Sequence, residues 1–309
     1  MKILGIGNAI VDVICKVDDN FITENNLSKG NMKLIFDKIE FEKLLSNLKI
    51  EKTISGGSVA NTIVGLSQLK NETGFIGKIS NDILGEKYES GLKDENVKFI
   101  YSKKIESLPT GTCLILVTPD SERTMCTFLG IAAKINEDDI NLDAVRSSEI
   151  TFLEGYLWDE GDPKKAFDKA INNANKVAMS LSDKFCVDRH KPHFLNLVKN
   201  KIDITFANEE EMMSLIDAKS FEEVISFAQE INKILVVTRG DKGAISIIGN
   251  KITEVGIKKN LDILDLTGAG DLFAAGYLNG YLNKYSEQDC LEKGSEMSSK
   301  IIQQIGARL

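Results

Sequence analysis

Proline and histidine are both scarce in this sequence, whose 309 residues include four prolines and two histidines. No stretch rich in proline, glycine or serine divides the chain, which argues against separate domains joined by a linker. His190 and His193 lie three residues apart, with Asp188 nearby. Because no cysteine or glutamate occurs at the spacing of a zinc site, we expect both histidines in a loop or at the surface.

Long apolar runs are also missing. No segment approaches the roughly 20 apolar residues that span a bilayer, and residues 1–5 enter a strand pattern at once, which predicts that no signal peptide is present. The five cysteines are dispersed, odd in number and free of CxxC pairs, as expected of reduced thiols. We therefore expect a cytoplasmic protein that does not associate with a membrane.

Positive charge is in deficit, since 38 basic residues stand against 46 acidic ones and give a net charge of −8. A nucleic-acid-binding surface is usually basic, so this balance argues against a nucleic-acid partner. A small anionic ligand is not excluded, because a local site can oppose the global charge.

The apolar patterns predict an α/β fold. Helical patterns alternate with short buried-strand patterns over most of the chain, which indicates βαβ units and a parallel sheet covered on both faces. Two stretches instead contain short alternating strands, typical of a small, partly exposed sheet. We predict a single domain over residues 1–309, with the small sheet drawn from about 12–36 and 99–130 and the core from 1–11, 37–98 and 131–309.

Residues 265–271, Asp-Leu-Thr-Gly-Ala-Gly-Asp, form the most informative stretch. A strand-like run at 262–264 precedes them and a helical pattern follows. A strand, a glycine turn and a helix N-terminus leave backbone N–H groups facing outward, which favours phosphate binding. Asp271 could then take a proton from a hydroxyl that attacks phosphorus. Alternatively, Asp271 caps the helix and the glycines form a tight turn.

A first glycine motif, Gly5-Ile6-Gly7, begins like a dinucleotide-binding fingerprint. Ile10 occupies the third glycine position and the following pattern is strand-like, which disfavours an oxidoreductase. Asn8 and Asp12 nevertheless lie at the end of the first strand, where ligands gather in open α/β folds. They could hold vicinal hydroxyls of a sugar, or they could be ordinary turn formers.

A second glycine pair, Gly56-Gly57, precedes Ser58 and a helical pattern. Ser58 is placed to cap that helix, and the small residues permit close backbone approach. Asn61, one turn further on, could bond a substrate hydroxyl, or it could be solvated at a loop-to-helix junction.

These pieces together resemble the ribokinase-like (PfkB) family of carbohydrate and nucleoside kinases. Its C-terminal motif matches residues 265–271 except at Leu266, and its Gly-Gly-x-x-x-Asn motif matches Gly56, Gly57 and Asn61. Two further elements match as well: Asn-x-x-Glu at Asn208 and Glu211, and Thr-x-Gly-x-x-Gly at Thr238, Gly240 and Gly243. The four elements stand in the family order and together cover nearly the whole chain.

The resemblance implies a doubly wound αβα sandwich with a small β-sheet lid, and transfer of the γ-phosphoryl of ATP to a hydroxymethyl group. It implies that Asp271 is the base and that the N–H groups of Gly268, Ala269 and Gly270 stabilise the transferring phosphoryl. It assigns the acceptor to Asn8, Asp12, Gly56, Gly57 and Asn61. It assigns the nucleotide to Asn208, Thr238, Gly240 and Gly243, and Mg²⁺ to Glu211 through water.

Within the family the sequence is most similar to adenosine-kinase-like members, on residues 7–12, 18–21 and 108–113. Arg123, just before a lid strand, could meet the phosphoryl group, or it could be exposed and solvated. Phe36, Leu116, Phe128 and Leu129 are candidates for an apolar slot for a purine. Leu266 replaces a residue that is often polar near a loop that binds a monovalent cation in many members, which speaks against activation by K⁺.

Three hypotheses follow. The first is an ATP- and Mg²⁺-dependent kinase of a small-molecule acceptor, a nucleoside or a free sugar, working as a monomer or homodimer. The second is a binding protein that kept the fold and lost turnover, which the retained Asp271 disfavours. The third, a dinucleotide oxidoreductase, is disfavoured by Ile10.

Overall fold

The computed structural model describes residues 1–102, 104–120, 122–158 and 163–309. Its strands are β1 (Ile3–Ile6), β2 (Ile10–Lys16), β3 (Met32–Leu34), β4 (Ile50–Gly56), β5 (Thr73–Ile76), β6 (Lys98–Phe99), β7 (Gly111–Val117), β8 (Arg123–Phe128), β9 (Ile150–Glu154), β10 (Val177–Ser180), β11 (Ile204–Asn208), β12 (Ile234–Thr238), β13 (Ala244–Ile248) and β14 (Lys251–Val255).

The α-helices of these residues connect the strands and cover them. They are α1 (Asp19–Glu24), α2 (Lys38–Ser46), α3 (Ser58–Gln68), α4 (Ile83–Asp94), α5 (Leu142–Ser147), α6 (Pro163–Ile171), α7 (Lys184–Asn200), α8 (Glu209–Leu215), α9 (Phe221–Ile231), α10 (Ala269–Leu282) and α11 (Glu287–Ile301). None of the helices in the described ranges has the length and apolarity that crossing a membrane requires.

The strands form a nine-stranded and a five-stranded sheet. The larger sheet has the order β14-β13-β12-β11-β10-β9-β1-β5-β6. Its strands run parallel from β6 to β12, and only the β12–β13 and β13–β14 pairs are antiparallel. Parallel strands need crossover helices, and those helices cover both faces. The predicted doubly wound α/β architecture is confirmed.

Successive apolar side chains of the buried strands point to opposite faces of the larger sheet, so the apolar core has two parts. Ile3 and Phe152 belong to a cluster on the face covered by α3, α10 and α11. Leu4 and Leu153, the next residue on each strand, belong to a cluster with α6, α7, α8 and α9 on the other face. Successive side chains of a strand point to opposite faces, so apolar residues at both positions require helices on both sides.

The smaller sheet, with the order β3-β8-β7-β2-β4, is the lid that the sequence predicts. Its outer face packs against α1 and α2, with Phe41 stacked on Phe128 at 4.9 Å between ring centroids. Its inner face carries Ile10 and Asp12 over a cleft above the larger sheet. A small sheet with one covered face leaves the other available to a ligand.

Two boundaries of the predicted core and lid are wrong. The stretch 37–98 was assigned to the core, yet β4 pairs antiparallel with β2 in the lid. Its first three residues are exposed and two of them, Glu51 and Lys52, are charged, as suits an edge strand, so its sequence carries no buried-strand pattern. Phe99, assigned to the lid, ends β6 and pairs with Phe75 of β5 in the larger sheet.

One local prediction is also wrong. Residues 262–264 form no strand, because Leu264 and Asp265 donate their N–H groups to the Ile302 carbonyl after α11 instead of joining the sheet. His190 and His193, expected in a loop or at the surface, lie half-buried within α7 and not in a loop. Pro192 lies inside that helix and His190 has non-helical dihedrals, so a kink hides the helical pattern in the sequence.

Candidate active site

Polar residues follow several strands of the larger sheet at the same edge. Asn8 comes shortly after β1, Glu154 ends β9, and Asn208 ends β11 beside Thr238 of β12. The carboxyl ends of parallel strands meet at one edge, where open α/β sheets bind ligands. Here that edge and the lid enclose a cavity of about 830 Å³, within the size range of small-molecule sites.

Most of the predicted site residues line this one cleft. They are Asn8, Asp12, Gly57, Asn61, Asn208, Glu211, Thr238, Gly268, Ala269, Gly270 and Asp271. Arg123 lines an adjoining cavity, Gly240 lines a third one next to Thr238, and Gly56 and Gly243 line none of the three.

Asp271, in the first turn of α10, is held by three hydroxyl and amide donors from α3. Ser58 Oγ donates to Oδ1 at 2.6 Å and Asn61 Nδ2 donates to Oδ2 at 3.0 Å. Thr62 Oγ1 donates to the backbone carbonyl of Asp271 at 3.0 Å. The side chain is therefore fixed from a neighbouring helix and does not cap its own helix; the N-cap of α10 is Gly268.

Burial sets the protonation of the two aspartates of the cleft. It raises the pKa of Asp271 to about 6, against the hydrogen bonds from Ser58 and Asn61 and the positive charge of Arg308. It raises the pKa of Asp12 to about 7, with Arg308 opposing and Asp271 adding to the shift. A carboxylate with a pKa near neutrality suits general-base catalysis, since it is ionised yet basic enough to accept a proton.

The turn between β4 and α3 brings the acceptor side of the cleft together. Gly57 has φ of 101°, and a Cβ there would lie 2.2 Å from the carbonyl oxygen of Asn8, so only glycine fits. Below this turn the buried Glu154 accepts the N–H of Asn8 at 2.8 Å and that of Val59 at 3.1 Å. Burial raises the pKa of Glu154 to about 7. This one carboxyl group joins the end of β1 to the start of α3.

The glycine turn before Asp271 differs in one respect from the sequence-based expectation. The N–H of Ala269 donates to the Leu266 carbonyl at 3.2 Å, because the turn closes on itself, so this group is not open to a phosphoryl. Among the described residues no partner is found for the N–H groups of Gly268 and Gly270. Two of the three predicted donors therefore remain open at the N-terminus of α10, at the positive end of its dipole.

Arg123 is not exposed, and its guanidinium is paired with a carboxylate at the start of the glycine turn. Its Nη1 lies 2.6 Å from Oδ2 of Asp265, and both side chains are largely buried. The same carboxylate accepts the N–H and hydroxyl of Thr267 and the N–H of Gly306. The pair therefore connects lid strand β8 to the turn that carries Asp271.

The first of the residues predicted to bind the nucleotide is Asn208. Its Oδ1 accepts the N–H of Glu211 at 2.8 Å, while both carboxylate oxygens of Glu211 accept hydrogen bonds from Asn208. Glu211 is 5% exposed, and burial raises its pKa to about 7. Gly240 adopts φ of 57° in the turn after Thr238. Gly243 lies against Val255 of β14, so it shapes the turn and does not face the cleft.

The apolar residues proposed for a purine separate into two groups. Leu116 and Phe128 belong to the outer core of the lid, and Phe36 is exposed. Leu129 alone of the four lines the main cleft, where Ile10, Leu34 and Met125 join it. The inner face of the lid thus offers an apolar wall over the acceptor side.

Sequence reasoning missed three residues of the site. Ser58 was assigned to capping, whereas it bonds Asp271 from the first position of α3. Glu154 could have been found, because a carboxylate ending a buried strand in a parallel sheet faces the ligand edge. Arg308, whose Nε donates to Asn61 Oδ1 at 3.1 Å, comes from a part of the sequence with no recognisable motif.

The arrangement suits transfer of a phosphoryl group to a hydroxyl. That reaction needs alignment, charge stabilisation and a proton acceptor, and little covalent chemistry from the protein. A near-neutral carboxylate lies here beside open N–H donors, in a cleft under a lid. These features define a small-molecule kinase, a phosphotransferase with an alcohol group as acceptor.

The chain belongs to the pfkB family of carbohydrate kinases, whose model matches residues 24–309. It is similar to the crystal structure of adenosine kinase from Sinorhizobium meliloti, with 36% identity and a TM-score of 0.90 over 100% of this chain and 95% of that chain. Adenosine kinase 2 from Arabidopsis thaliana is 25% identical over 335 residues, covering 98% of this chain and 94% of the plant protein. The 5-dehydro-2-deoxygluconokinase of Clostridium botulinum is 26% identical over 295 residues, covering 88% of this chain and 85% of its own length.

Proposed function

We propose that this protein transfers the γ-phosphoryl of ATP to the hydroxymethyl group of a ribose-type acceptor, and that the acceptor is a nucleoside, with adenosine as the first candidate. The observation that supports this most is the placement of Asp271, held by Ser58 and Asn61 beside the open N–H groups of Gly268 and Gly270. The similarity to adenosine kinases supports the nucleoside acceptor.

In this proposal Asp271 removes the proton of the acceptor hydroxyl as its oxygen attacks the γ-phosphorus. A new O–P bond forms, the bond to the β-phosphate oxygen breaks, and ADP leaves with the bonding electrons. The N–H groups of Gly268 and Gly270 stabilise the negative charge on the transferring group. The N–H of Ala269 can join them only by leaving the Leu266 carbonyl.

The acceptor would lie between the lid and the β4–α3 turn. The Asp12 carboxylate has no hydrogen-bond partner among the described residues, so both oxygens are available to vicinal hydroxyls of a ribose. Asn8, Gly57 and Asn61 surround the same space, and Gly56 sets the end of β4 opposite Ile10. Leu129 and the neighbouring apolar residues of the lid would contact a purine, whose faces favour apolar surroundings.

The nucleotide would extend from the glycine turn past Asn208 and Thr238 towards Gly240, with Gly243 holding that turn in place. Both oxygens of Glu211 are already engaged by Asn208, and the described residues contain no group of three or more side chains that could hold a metal. This donor set fits Mg²⁺ that keeps its waters and phosphate ligands. When bound, Mg²⁺ would neutralise phosphate charge, with Glu211 contacting its water shell.

The acceptor alternative is a free sugar such as ribose or fructose, supported by the similarity to 5-dehydro-2-deoxygluconokinase. We further propose a cytoplasmic monomer or homodimer that uses no nucleic-acid or membrane partner. The buried free cysteines agree with a reducing compartment. Dependence on K⁺ is not expected, because Leu266 places an exposed apolar side chain beside the glycine turn.

An ADP-release assay with Mg-ATP tests the proposal on a panel of nucleosides, ribose, fructose and sugar monophosphates. We expect turnover with adenosine and none with 5′-deoxyadenosine, which lacks the accepting hydroxyl but should compete for the site. Turnover only with a free sugar supports the alternative. Turnover only with a sugar monophosphate contradicts both acceptor assignments, and turnover with no compound contradicts the kinase itself.

A further inference from the structure

The segment that follows α11 folds back onto the active-site turn. The N–H of Gly306 donates to Asp265 Oδ2 at 2.9 Å. Ala307 packs so closely against Gly268, which has φ of 79°, that a Cβ on this glycine would lie 2.8 Å from the Cα of Ala307. Gln304 Nε2 donates to the carbonyl of Arg308 at 2.7 Å. These contacts fix the backbone that carries Arg308.

Arg308 begins a chain of two hydrogen bonds that ends on Asp271. Its Nε donates to Asn61 Oδ1 at 3.1 Å, and Asn61 Nδ2 donates to Asp271 Oδ2 at 3.0 Å. A guanidinium can only donate, so it determines which end of the Asn61 amide faces it. The NH₂ end of the amide must then face Asp271, and the carboxylate accepts from it.

Arg308 is also the cation that acts on both aspartates of the cleft. It lowers the pKa of Asp12 and of Asp271 against burial, the larger effect, which raises both. The other titratable groups that interact electrostatically with Arg308, Asp12 or Asp271 are Tyr88, Glu95, Cys113, Glu154 and Tyr156. All five are neutral or negative, so none replaces the charge of Arg308.

One part of the guanidinium remains unused. The buried Nη2 of Arg308 has no hydrogen-bond partner among the described residues. A buried donor without a partner is costly, so it is uncommon in a residue that only stabilises a fold. Arg308, Asp12 and Asn61 line one cavity of about 690 Å³, which adjoins the acceptor cleft at the latter two residues.

We propose that Arg308 is a positioning residue for phosphoryl transfer, which orients the Asn61 amide towards Asp271 and whose charge stabilises the Asp271 and Asp12 carboxylates. The inference rests on the proposed function, because it assigns Arg308 a task in the same reaction. It adds a residue outside the motifs of the family resemblance, supplied by the segment that follows the last helix.

The variants Arg308→Ala, Arg308→Gln and Arg308→Lys separate charge from geometry. An opposite charge within about 4–6 Å lowers a carboxylate pKa by roughly 1–3 units. Removing it should therefore move the acid limb of kcat/KM to higher pH, by about one unit in Arg308→Ala and Arg308→Gln. Arg308→Lys keeps the charge and loses the Nε–Asn61 bond. Its kcat should therefore fall, while the acid limb of its kcat/KM profile stays at the pH of the unmodified protein. Added guanidinium ion should partly restore Arg308→Ala.

Arg146→Ala is the matched control, because Arg146 is exposed and its side chain bonds only Asn173 among the described residues. The pH profile of kcat/KM for Arg146→Ala should equal that of the unmodified protein. Acid limbs that coincide in all variants would overturn the inference, even if Arg308→Ala loses activity or thermal stability, because a purely structural role lowers activity without moving the limb.

A second measurement needs no turnover. In protein labelled at the aspartate carboxyl carbons, with Asp271 and Asp12 assigned from D271N and D12N, a ¹³C titration should give higher midpoints in Arg308→Gln than in the unmodified protein. Unchanged midpoints overturn the inference. If the unmodified protein phosphorylates no acceptor, the proposed function fails, while this titration still tests the effect of Arg308 on the two carboxylates.

Discussion

Asp12, Glu154 and Asp271 are three carboxyl groups from three elements in one cleft, and each is removed from water to a degree that raises its pKa to about 7, 7 and 6. Their surroundings give them different tasks. Asp271 receives two side-chain donors, Glu154 receives two backbone N–H groups, and Asp12 has none among the described residues. The free carboxylate of Asp12 suits ligand binding, and the oriented carboxylate of Asp271 suits proton transfer. The carboxyl group of Glu154, bonded to backbone N–H groups, suits a structural role.

We expect Glu154→Gln to change how stability depends on pH. Because burial raises the pKa of Glu154 from 4.5 to about 7, the folded protein binds this proton more tightly than the unfolded chain. The resulting stabilisation is fully present below pH 4.5 and is lost as pH rises through 7. The variant should therefore show a smaller fall in Tm between pH 5 and 8, where each kcal/mol is worth about 2–4 °C.

Thermal unfolding over that pH range makes the comparison. Glu149→Gln is the matched control, because Glu149 is an exposed glutamate just before the same strand. Parallel Tm curves for Glu154→Gln and the unmodified protein would show that Glu154 does not carry this proton.

Some of these residues can be predicted from the sequence and others cannot, for a physical reason. Asp271, Asn8 and Asp12 adjoin glycine motifs or strand ends, so local pattern is enough to single them out. Arg308 has no such pattern around it, and its bond to Asn61 joins residues 247 positions apart. Only the folded chain brings that guanidinium into the cleft.

Among the elements, the turn between β4 and α3 is the most constrained. Gly57→Ala should destabilise the protein by about 1–3 kcal/mol from backbone strain alone, with an added cost because the new Cβ would lie 2.2 Å from the Asn8 carbonyl oxygen. It should also weaken acceptor binding, since it displaces Asn8. Denaturant unfolding and the acceptor KM measure the two effects.

Gly256→Ala is the control for this variant. A Cβ there meets nothing within 4 Å, and the residue does not have positive φ. We expect its stability to equal or exceed that of the unmodified protein. Equal losses of unfolding free energy in Gly57→Ala and Gly256→Ala would contradict the claim that the β4–α3 turn requires glycine at position 57.

The lid is tied to the turn that carries Asp271 by the Arg123–Asp265 pair. Because these side chains are only 22% and 11% exposed, a double-mutant cycle of Arg123→Gln and Asp265→Asn should give a coupling of about 1 kcal/mol, at the upper end for a pair near the surface. The exposed Lys33–Glu40 pair, between β3 and α2 of the same lid, should give a coupling near zero. Urea unfolding of each cycle measures these values, and an additive Arg123–Asp265 cycle would argue that the pair does not hold the lid.

The same elements mark the limits of pattern-based prediction. Helix α9 shows where local pattern is enough, because its buried residues Phe221, Val224 and Ala228 recur at helical spacing. β4 was missed because its first three residues are exposed and two of them are charged, and only pairing with β2 makes it a strand. Residues 262–264 have strand-like composition, yet they find hydrogen-bond partners after α11 and not in a sheet.

At the scale of the whole molecule, the active site depends on both ends of the chain. β1 lies inside the larger sheet between β9 and β5, the lid comes from the first half of the chain, and α10 with the segment after α11 closes the cleft from the second half. Asp271 and its donors Ser58 and Asn61 are more than 200 positions apart. The catalytic geometry should therefore form only when the domain is folded as one unit.

The central claim is that Asp271 accepts the proton of the attacking hydroxyl, and it is tested most directly by kcat and acceptor affinity measured together in Asp271→Asn. A general base contributes about 10²–10⁴-fold, so the account predicts a fall of kcat by that factor. The isosteric amide should leave the calorimetric Kd for the acceptor within a few fold of the unmodified value. An Asp271→Asn protein that keeps full kcat would contradict the account.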